Sequence, residues 1–476
     1  MQNFINGKWQ PSVSGETMAV VNPATGEAFE EVPRSGIVDA DIAIQSAQVA
    51  FEQWRNVPMA ERARLQHAAA ASMRERADEF GRVLTRELGR PFSAAKREIV
   101  RSAELLDYYA EEGLRLRGEM PLMGEPNERV FVTKQPLGVV VAITPFNYPI
   151  TLLTFKLGAA LITGCTLVCK PAEDTPLTTL MLAELFHKVG YPAGVFNVVT
   201  GYGHEVGKAL VEHPVPRKVA FTGSTQTGQK IAALAMATSK VTLEMGGQSP
   251  AIVAADADLD KAIPQIVGHA YSNTGQFCYR VNRIYVERPF YDDFISRFVA
   301  SAEKLVVGDG MMPNCQLGPL VNEKIYANSE RQVADGLAKG AKLAAGGSRL
   351  TGGDYDKGHY FPPTVLIDTD HSMEIMTEET FGPVVGIMPF DEWGEAVRLA
   401  NDSRYGLAAY VFTSDVGVGL KTAEMLEAGS VWVNNIRRSY HHVPFGGMKQ
   451  SGIGREKSRH ALDEYLELKT IYLGLE

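Results

Sequence analysis

From Val38 to Tyr109 apolar residues recur at helical spacing: Ile42, Ala43, Ala47, Ala50, Phe51 and Trp54 share one face. Ala-rich segments laced with Arg and Glu follow over 60–80 and 93–112. This predicts an opening layer of helices. From Gly138 the pattern changes to apolar runs of about five residues ("GVVVAIT", "TLVCK", "VFNVV", "KVAFTG"), separated by helical stretches over 151–163, 176–189, 204–212 and 226–237. Short buried strands alternating with helices predict a parallel sheet, whose ligands bind at the carboxyl ends of the strands. A second alternation begins near Ser249 ("SPAIV", "NRIYV", "PTVLI", "GPVVGIMPF", "AAYVF", "SVWVN") and predicts a second α/β unit, with the cleft between the two as the expected active site. Two strand-like pieces, 129–135 and the chain end "YLELKTIYLGL", lie outside both alternations and are expected to serve assembly, since exposed strand edges seek partners.

Composition narrows the function classes. The 476 residues are 45% hydrophobic and 22% charged, as in soluble globular proteins of more than one domain. Lys and Arg number 47 against 56 Asp and Glu, for a net charge of −9, and no basic run marks nucleic acid as a partner. The start "MQNFINGKWQPS" has no signal-peptide pattern, and no apolar run approaches a membrane span, so a cytoplasmic protein is expected. Four cysteines (Cys165, Cys169, Cys278, Cys315) form neither a disulfide framework nor a zinc spacing, and no metal site is expected.

Five segments carry candidate chemistry. "FTGSTQTG" follows a strand and opens a helix, with Gly223 and Gly228 spaced so that free N–H groups could meet a pyrophosphate; a plain strand-to-helix turn reads the same way. "CKPAEDTP" sets Lys170 and Glu173 at a sheet mouth, where a carboxylate accepts ribose hydroxyls and repels a 2′-phosphate, or simply complements a helix dipole. Glu244 in "TLEMGGQSP" precedes a Gly-Gly hinge and is either a general base raised by burial or a solvated carboxylate. Cys278 in "NTGQFCYR" is either a nucleophile, its thiolate favoured by Arg280 and Arg283, or a packed core residue. Asn147 in "TPFNYP" can donate to an oxyanion or cap the following helix.

Taken together, "ITPFNYP", "CKPAEDTP", "FTGSTQTG", "LEMGGQSP", "NTGQFC", "EETFGPV" and "PFGGMKQSGIGRE" resemble, in order, the signatures of the aldehyde dehydrogenase superfamily. The motifs are most similar to its succinate-semialdehyde dehydrogenase branch. The resemblance implies a Rossmann-like NAD-binding domain (1–117 and 137–246), an α/β catalytic domain (247–455) and a small β oligomerisation element (118–136 and 456–476) in a homodimer or homotetramer. It implies that Cys278 attacks the aldehyde, that Asn147 and the Cys278 N–H hold the oxyanion, and that Glu244 activates the water that hydrolyses the thioester. That base argues against transfer of the acyl group to coenzyme A. Lys156 and Glu456 match a proton-relay pair. Thr144, Phe146, Lys170, Glu173, Gly223, Ser224, Gly228, Glu379 and Phe381 match cofactor positions, with Glu173 favouring NAD over NADP. One departure is Gln248, where the family usually has Lys.

The substrate does not follow from the resemblance. The semialdehyde branch holds its carboxylate with Arg at two positions that are Phe155 and Ser272 in this chain. Phe155, Phe146, Phe277 and Phe445 instead predict an aromatic tunnel for an apolar aldehyde. The loop "NNIRRSYHH" carries Arg437, Arg438, His441 and His442, which either hold an anionic aldehyde or face solvent or a neighbouring subunit. The alternative from another class is a cysteine hydrolase or acyltransferase with no redox cofactor.

Overall fold

The computed structural model describes residues 1–122, 125–235, 239–436 and 439–475. The expected helical layer is present as Ile37–Trp54, Met59–Glu75, Ala77–Leu88 and Phe92–Gly113. Four strands precede it, Asn3–Ile5, Lys8–Gln10, Thr17–Asn22 and Glu27–Pro33, too short for their alternation to stand out in the sequence.

The first sheet runs Lys8–Gln10, Asn3–Ile5, Phe196–Val198, Thr166–Lys170, Val139–Ile143, Lys218–Thr222, Lys240–Glu244, Gly452–Ile453. The five strands from Phe196–Val198 to Lys240–Glu244 are parallel, and their apolar residues are almost wholly buried, as covering helices on both faces require. The chain enters at the central strand Val139–Ile143, adds neighbours on one side, then crosses to Lys218–Thr222 on the other. The order reverses between those two strands, so the crevice opens beyond Ile143 and Thr222, where the Asn147 and Ser224 loops begin.

The second sheet runs Lys342–Ala345, Thr364–Ile367, Val384–Phe390, Val281–Glu287, Ser249–Val253, Ala408–Phe412, Ser430–Val433, parallel except for Lys342–Ala345. All six strands expected from the second alternation are in it. The two expected outlying pieces pair with each other: Glu128–Pro136 and Leu466–Gly474 form an antiparallel ribbon.

The domain boundary expected at 455 is crossed. Gly452–Ile453 pairs with Lys240–Glu244 and closes the edge of the first sheet, because the "KQSG" loop folds back under the Gly-Gly hinge. Ser451 fixes this return: its carbonyl accepts from the Met245 N–H (2.8 Å) and its hydroxyl donates to the Gly246 carbonyl (2.6 Å). Glu456, placed with the assembly element by its position in the chain, is likewise buried in the first domain, its backbone paired with that of Phe445.

Cys169 lies within a buried strand and Cys165 just ahead of it. Burial pushes both thiols up, Cys169 to about 12, which suits inert core residues. Among the described residues no helix is long and apolar enough to cross a membrane.

Candidate active site

Cys278 lies in a cavity whose wall includes Asn147, Tyr148, Phe155, Phe277, Phe445 and Lys457. The turn Ser272–Gly275 presents it, with Asn273 and Thr274 both in left-handed backbone (φ +51° and +55°). That conformation is costly for a β-branched residue and persists only where the surroundings fix it. Here they do. The Asn273 amide donates to the carbonyls of Asn147 and Gln276 (3.2 Å each), the Thr274 hydroxyl donates to the Gly318 carbonyl (2.9 Å), and the Gln276 side chain accepts from the Val321 N–H (2.9 Å).

Asn147 does not cap the helix that follows it. The first N–H groups of Pro149–Thr163, on Ile150 and Thr151, are taken by the buried carboxylate of Glu98 (3.1 and 3.0 Å). The Asn147 amide instead donates to the Gln276 carbonyl (3.0 Å), which sets its plane beside the Cys278 loop.

Glu244 ends its strand buried, and neither carboxylate oxygen has a hydrogen-bond partner among the described residues. Burial, reinforced by the charge of Glu456, raises it well above the usual carboxylate range. Space is kept for it by Gly446, where a Cβ would come within 2.7 Å of Glu244 Oε1. Next to it Lys156 donates to Glu456 (2.5 Å) and to the Thr222 hydroxyl (2.6 Å), so the expected Lys156–Glu456 pair is formed and buried. Glu456 is itself raised, because burial outweighs its lysine.

The expected help from Arg280 and Arg283 is absent. Arg280 donates to the carbonyls of Ala270, Val281 and Val384 and to the Asn282 side chain, while Arg283 donates to the carbonyls of Gln248, Leu399 and Ala400. Both brace the fold. Burial, followed by the carboxylates of Glu379 and Glu244, pushes the Cys278 thiol up, against a smaller pull from the N–H groups of Cys278 and Tyr279. Cys278 therefore senses the Glu244 carboxylate across one site.

At the crevice, Lys170 donates to Glu173 (2.7 Å), which also accepts from the Gly203 N–H (2.7 Å). Desolvation is the largest influence on Glu173, but Lys170 and these hydrogen bonds outweigh it and hold the carboxylate ionised. The two glycines of "FTGSTQTG" act differently from the expectation of free N–H groups. The Gly223 N–H is taken by the Glu244 carbonyl (3.0 Å) and the Gly228 N–H by the Ser224 carbonyl (2.9 Å). Their missing side chains serve packing, since a Cβ would lie 2.5 Å from the Phe221 ring at Gly223 and 2.4 Å from Met245 Sδ at Gly228. Ser224 caps the helix Thr225–Ala235, its hydroxyl accepting from the Thr227 N–H (3.3 Å).

Glu379 accepts from the Gly247 N–H (2.9 Å), and burial raises it to about 7. Gln248, at the departure from the family pattern, donates to the carbonyls of Ile375 and Glu378 (3.1 and 3.2 Å) and so ties the hinge to the Glu379 loop. Phe146 does not line the cavity; it meets Phe381 edge to face (5.6 Å), and Tyr148 and Tyr279 complete the aromatic wall in its place. A dinucleotide fits these residues: Lys170 and Glu173 stand at a strand's carboxyl end, and a helix starts at the point where strand order reverses.

On the substrate side, Ser272 opens onto a different cavity with Arg97 and Cys315. His441 lines the Cys278 cavity, whereas His442 is exposed and stacks on Tyr440. Arg437 and Arg438 lie outside the described residues. Sequence reasoning missed Glu98, Arg90, Arg101 and Lys457, all of which line the cavity. The first three sit in a charge-laced helical layer that reads as a solvated face, and Lys457 follows Glu456 with no spacing signal of its own.

Residues 9–471 match the aldehyde dehydrogenase family. The chain is 41% identical to the succinate-semialdehyde dehydrogenase [NADP(+)] of Escherichia coli, over all of this chain and 98% of that one. It is 41% identical to a 3-sulfolactaldehyde dehydrogenase of Pseudomonas putida, over 99% of this chain and 97% of that one. Its structure is similar to that of betaine aldehyde dehydrogenase from Staphylococcus aureus in complex with NAD+, with a TM-score of 0.98 at 35% identity, covering 100% of this chain and 95% of that chain.

A carboxyl raised by folding makes stability fall as pH rises, because the unfolded chain releases that proton first. Glu244→Gln removes this loss. Its thermal stability should match wild type near about pH 4 and exceed it increasingly toward neutrality, by up to about 1.4 kcal/mol per pH unit. Melting curves across that range check it; an advantage that does not grow with pH would show that Glu244 is not raised.

Proposed function

The chain belongs to the aldehyde dehydrogenase family and oxidises aldehydes with NAD(P), and on that premise we propose how its own residues divide the reaction. Cys278 first releases its thiol proton to solvent, its thiolate Sγ then attacks the carbonyl carbon, and the carbonyl electron pair moves to oxygen, where the Asn147 amide and the Cys278 N–H receive the negative charge. A bound dinucleotide would supply the nicotinamide ring as acceptor for the hydride that leaves that carbon. Cys278 then holds the acyl group as a thioester. Glu244 takes a proton from water as the water oxygen attacks, the C–S bond breaks, and the carboxylic acid leaves. Lys156 and Glu456 carry that proton away from Glu244. Thr144, Phe146, Lys170, Glu173, Ser224, Glu379 and Phe381 would hold the dinucleotide.

The observation that carries this reading is the buried Glu244 carboxyl, without a partner on either oxygen among the described residues and within electrostatic reach of Cys278. No structural role accounts for leaving so costly a group unsatisfied. For the substrate we favour a short aldehyde with an acidic group at its far end, as succinate semialdehyde and 3-sulfolactaldehyde have. The aromatic wall of Phe155, Phe277 and Phe445 favours a second reading, an apolar or aromatic aldehyde. Glu173, held ionised at the ribose end, disfavours a 2′-phosphate and makes NAD the preferred form.

The purified enzyme should reduce NAD in the presence of aldehyde, with lower kcat/KM for NADP, and Cys278→Ala should form no measurable NADH. Turnover of a thioester without nicotinamide, together with no NADH formation, would point to the hydrolase alternative. A higher kcat/KM with NADP would remove the role given to Glu173.

We also assign homo-oligomer assembly to the ribbon of Glu128–Pro136 and Leu466–Gly474, where Leu468, Ile471, Tyr472 and Leu473 stand exposed. Light scattering should give a dimer or tetramer for wild type and smaller species for a Leu468→Lys, Tyr472→Lys double variant. A wild-type monomer, or a variant of unchanged mass, contradicts the assignment.

A further inference from the structure

The Cys278 cavity has an aromatic wall, but four cationic or titratable nitrogenous side chains also line it: Arg90, Arg101, His441 and Lys457. They differ in how their charge is met. Arg90 donates to Glu98 (2.5 Å), which is committed to the helix above Asn147, and its guanidinium lies over the Tyr148 ring (4.1 Å). His441 Nε2 faces Glu104 at 3.5 Å, while its buried Nδ1 has no hydrogen-bond partner among the described residues.

Lys457 is the unusual one. It is 3% exposed, and no carboxylate among the described residues lies within ion-pair distance of it. Its ammonium donates to the Ser439 carbonyl (3.0 Å) and hydroxyl (2.9 Å), both neutral, and stands 5.6 Å from the centre of the Phe155 ring. Burial, then the neighbouring Arg101, pushes it down to about 7. A buried ammonium with only neutral acceptors is costly, and such a group is expected where an incoming anion completes it.

The loop that carries Lys457 is also held against relaxation. Lys457 and Ser458 are both in left-handed backbone (φ +62° and +53°). Phe445 and Glu456 exchange both backbone hydrogen bonds (2.8 Å each), and the Ser458 N–H donates to the His441 carbonyl (2.8 Å). Strain kept by such a frame marks a positioned group.

We propose that Lys457, seconded by Arg101 and His441, binds an oxyanion at the far end of the aldehyde, a carboxylate or a sulfonate, and so determines specificity for acid-ended substrates. This rests on the dehydrogenase reading of Cys278. The anion supplies the counter-charge that Lys457 lacks, while Phe155, Phe277 and Phe445 cover the short carbon body between the two ends. Selectivity then comes from leaving a buried cation unmatched when a neutral aldehyde enters.

The test is steady-state kinetics with succinate semialdehyde, sulfoacetaldehyde and the neutral butanal, on wild type, Lys457→Met and Lys457→Arg. Wild type should favour an anionic aldehyde over butanal in kcat/KM. Lys457→Met should cut that preference about tenfold or more, mainly through a higher KM for the anionic aldehyde, and Lys457→Arg should keep most of it. The relative KM of the two acids identifies the oxyanion. An unchanged preference in Lys457→Met, or an equal fall in kcat/KM for anionic and neutral aldehydes, would overturn the proposal. Absence of NADH from every aldehyde with wild type would overturn the dehydrogenase reading itself.

Discussion

The backbone contact between Gly247 and Cys278 is the constraint on which the rest of the site depends. A Cβ at Gly247 would lie 2.1 Å from the Cys278 carbonyl oxygen, closer than any side chain permits. The same residue gives its N–H to Glu379. At Gly246 a Cβ would come within 2.7 Å of the Glu379 carboxylate, and the Gly246 carbonyl is clamped by Ser451. With Glu244 two residues upstream, one turn between the two sheets sets the relative positions of Cys278, Glu244 and the Glu379 carboxylate. Catalysis is sensitive to ångström displacements of such groups, so the turn must be both small and rigid.

Burial gives the site its chemistry and also its cost. Cys278, Glu244 and Glu456 are all shifted toward their neutral forms, and Lys156 offsets only part of the negative charge. A carboxyl raised in this way is a stronger base toward water than a solvated one, while the dry surroundings strengthen the hydrogen bonds offered to an oxyanion. Other buried charges near the site are well matched: Arg280 and Arg283 are ringed by carbonyls, and Glu98 is shared between Arg90 and a helix N-terminus. Charges close in sequence to Cys278 thus support the fold, and the charges that act on it come from distant segments.

That separation explains what was legible in the sequence. Strand and helix alternation marked both sheets, since period and run length are local properties, and the ordered motifs marked Cys278, Glu244, Asn147 and the Lys156–Glu456 pair. Side-chain direction was not legible. Arg280 stands two residues from Cys278 and turns away from it; Phe146 stands one residue from Asn147 and faces Phe381 instead of the cavity. Gly223 and Gly228 have the spacing of a phosphate loop, yet their lack of side chains is explained by Phe221 and Met245. Glu98 caps a helix more than fifty positions away, a link no local pattern contains. The loss of Arg at positions 155 and 272 read as the loss of an anion site, although Lys457 brings a cation over the Phe155 ring from another loop.

The division of labour between Cys278 and Glu244 is tested most directly by stopped-flow measurement of NADH formation by Glu244→Gln. If Glu244 serves thioester hydrolysis, this variant should still release roughly one NADH per active site in a burst, followed by a steady state slowed on the order of a hundredfold or more. Steady-state turnover equal to wild type, or loss of the burst with intact aldehyde binding, would contradict that assignment.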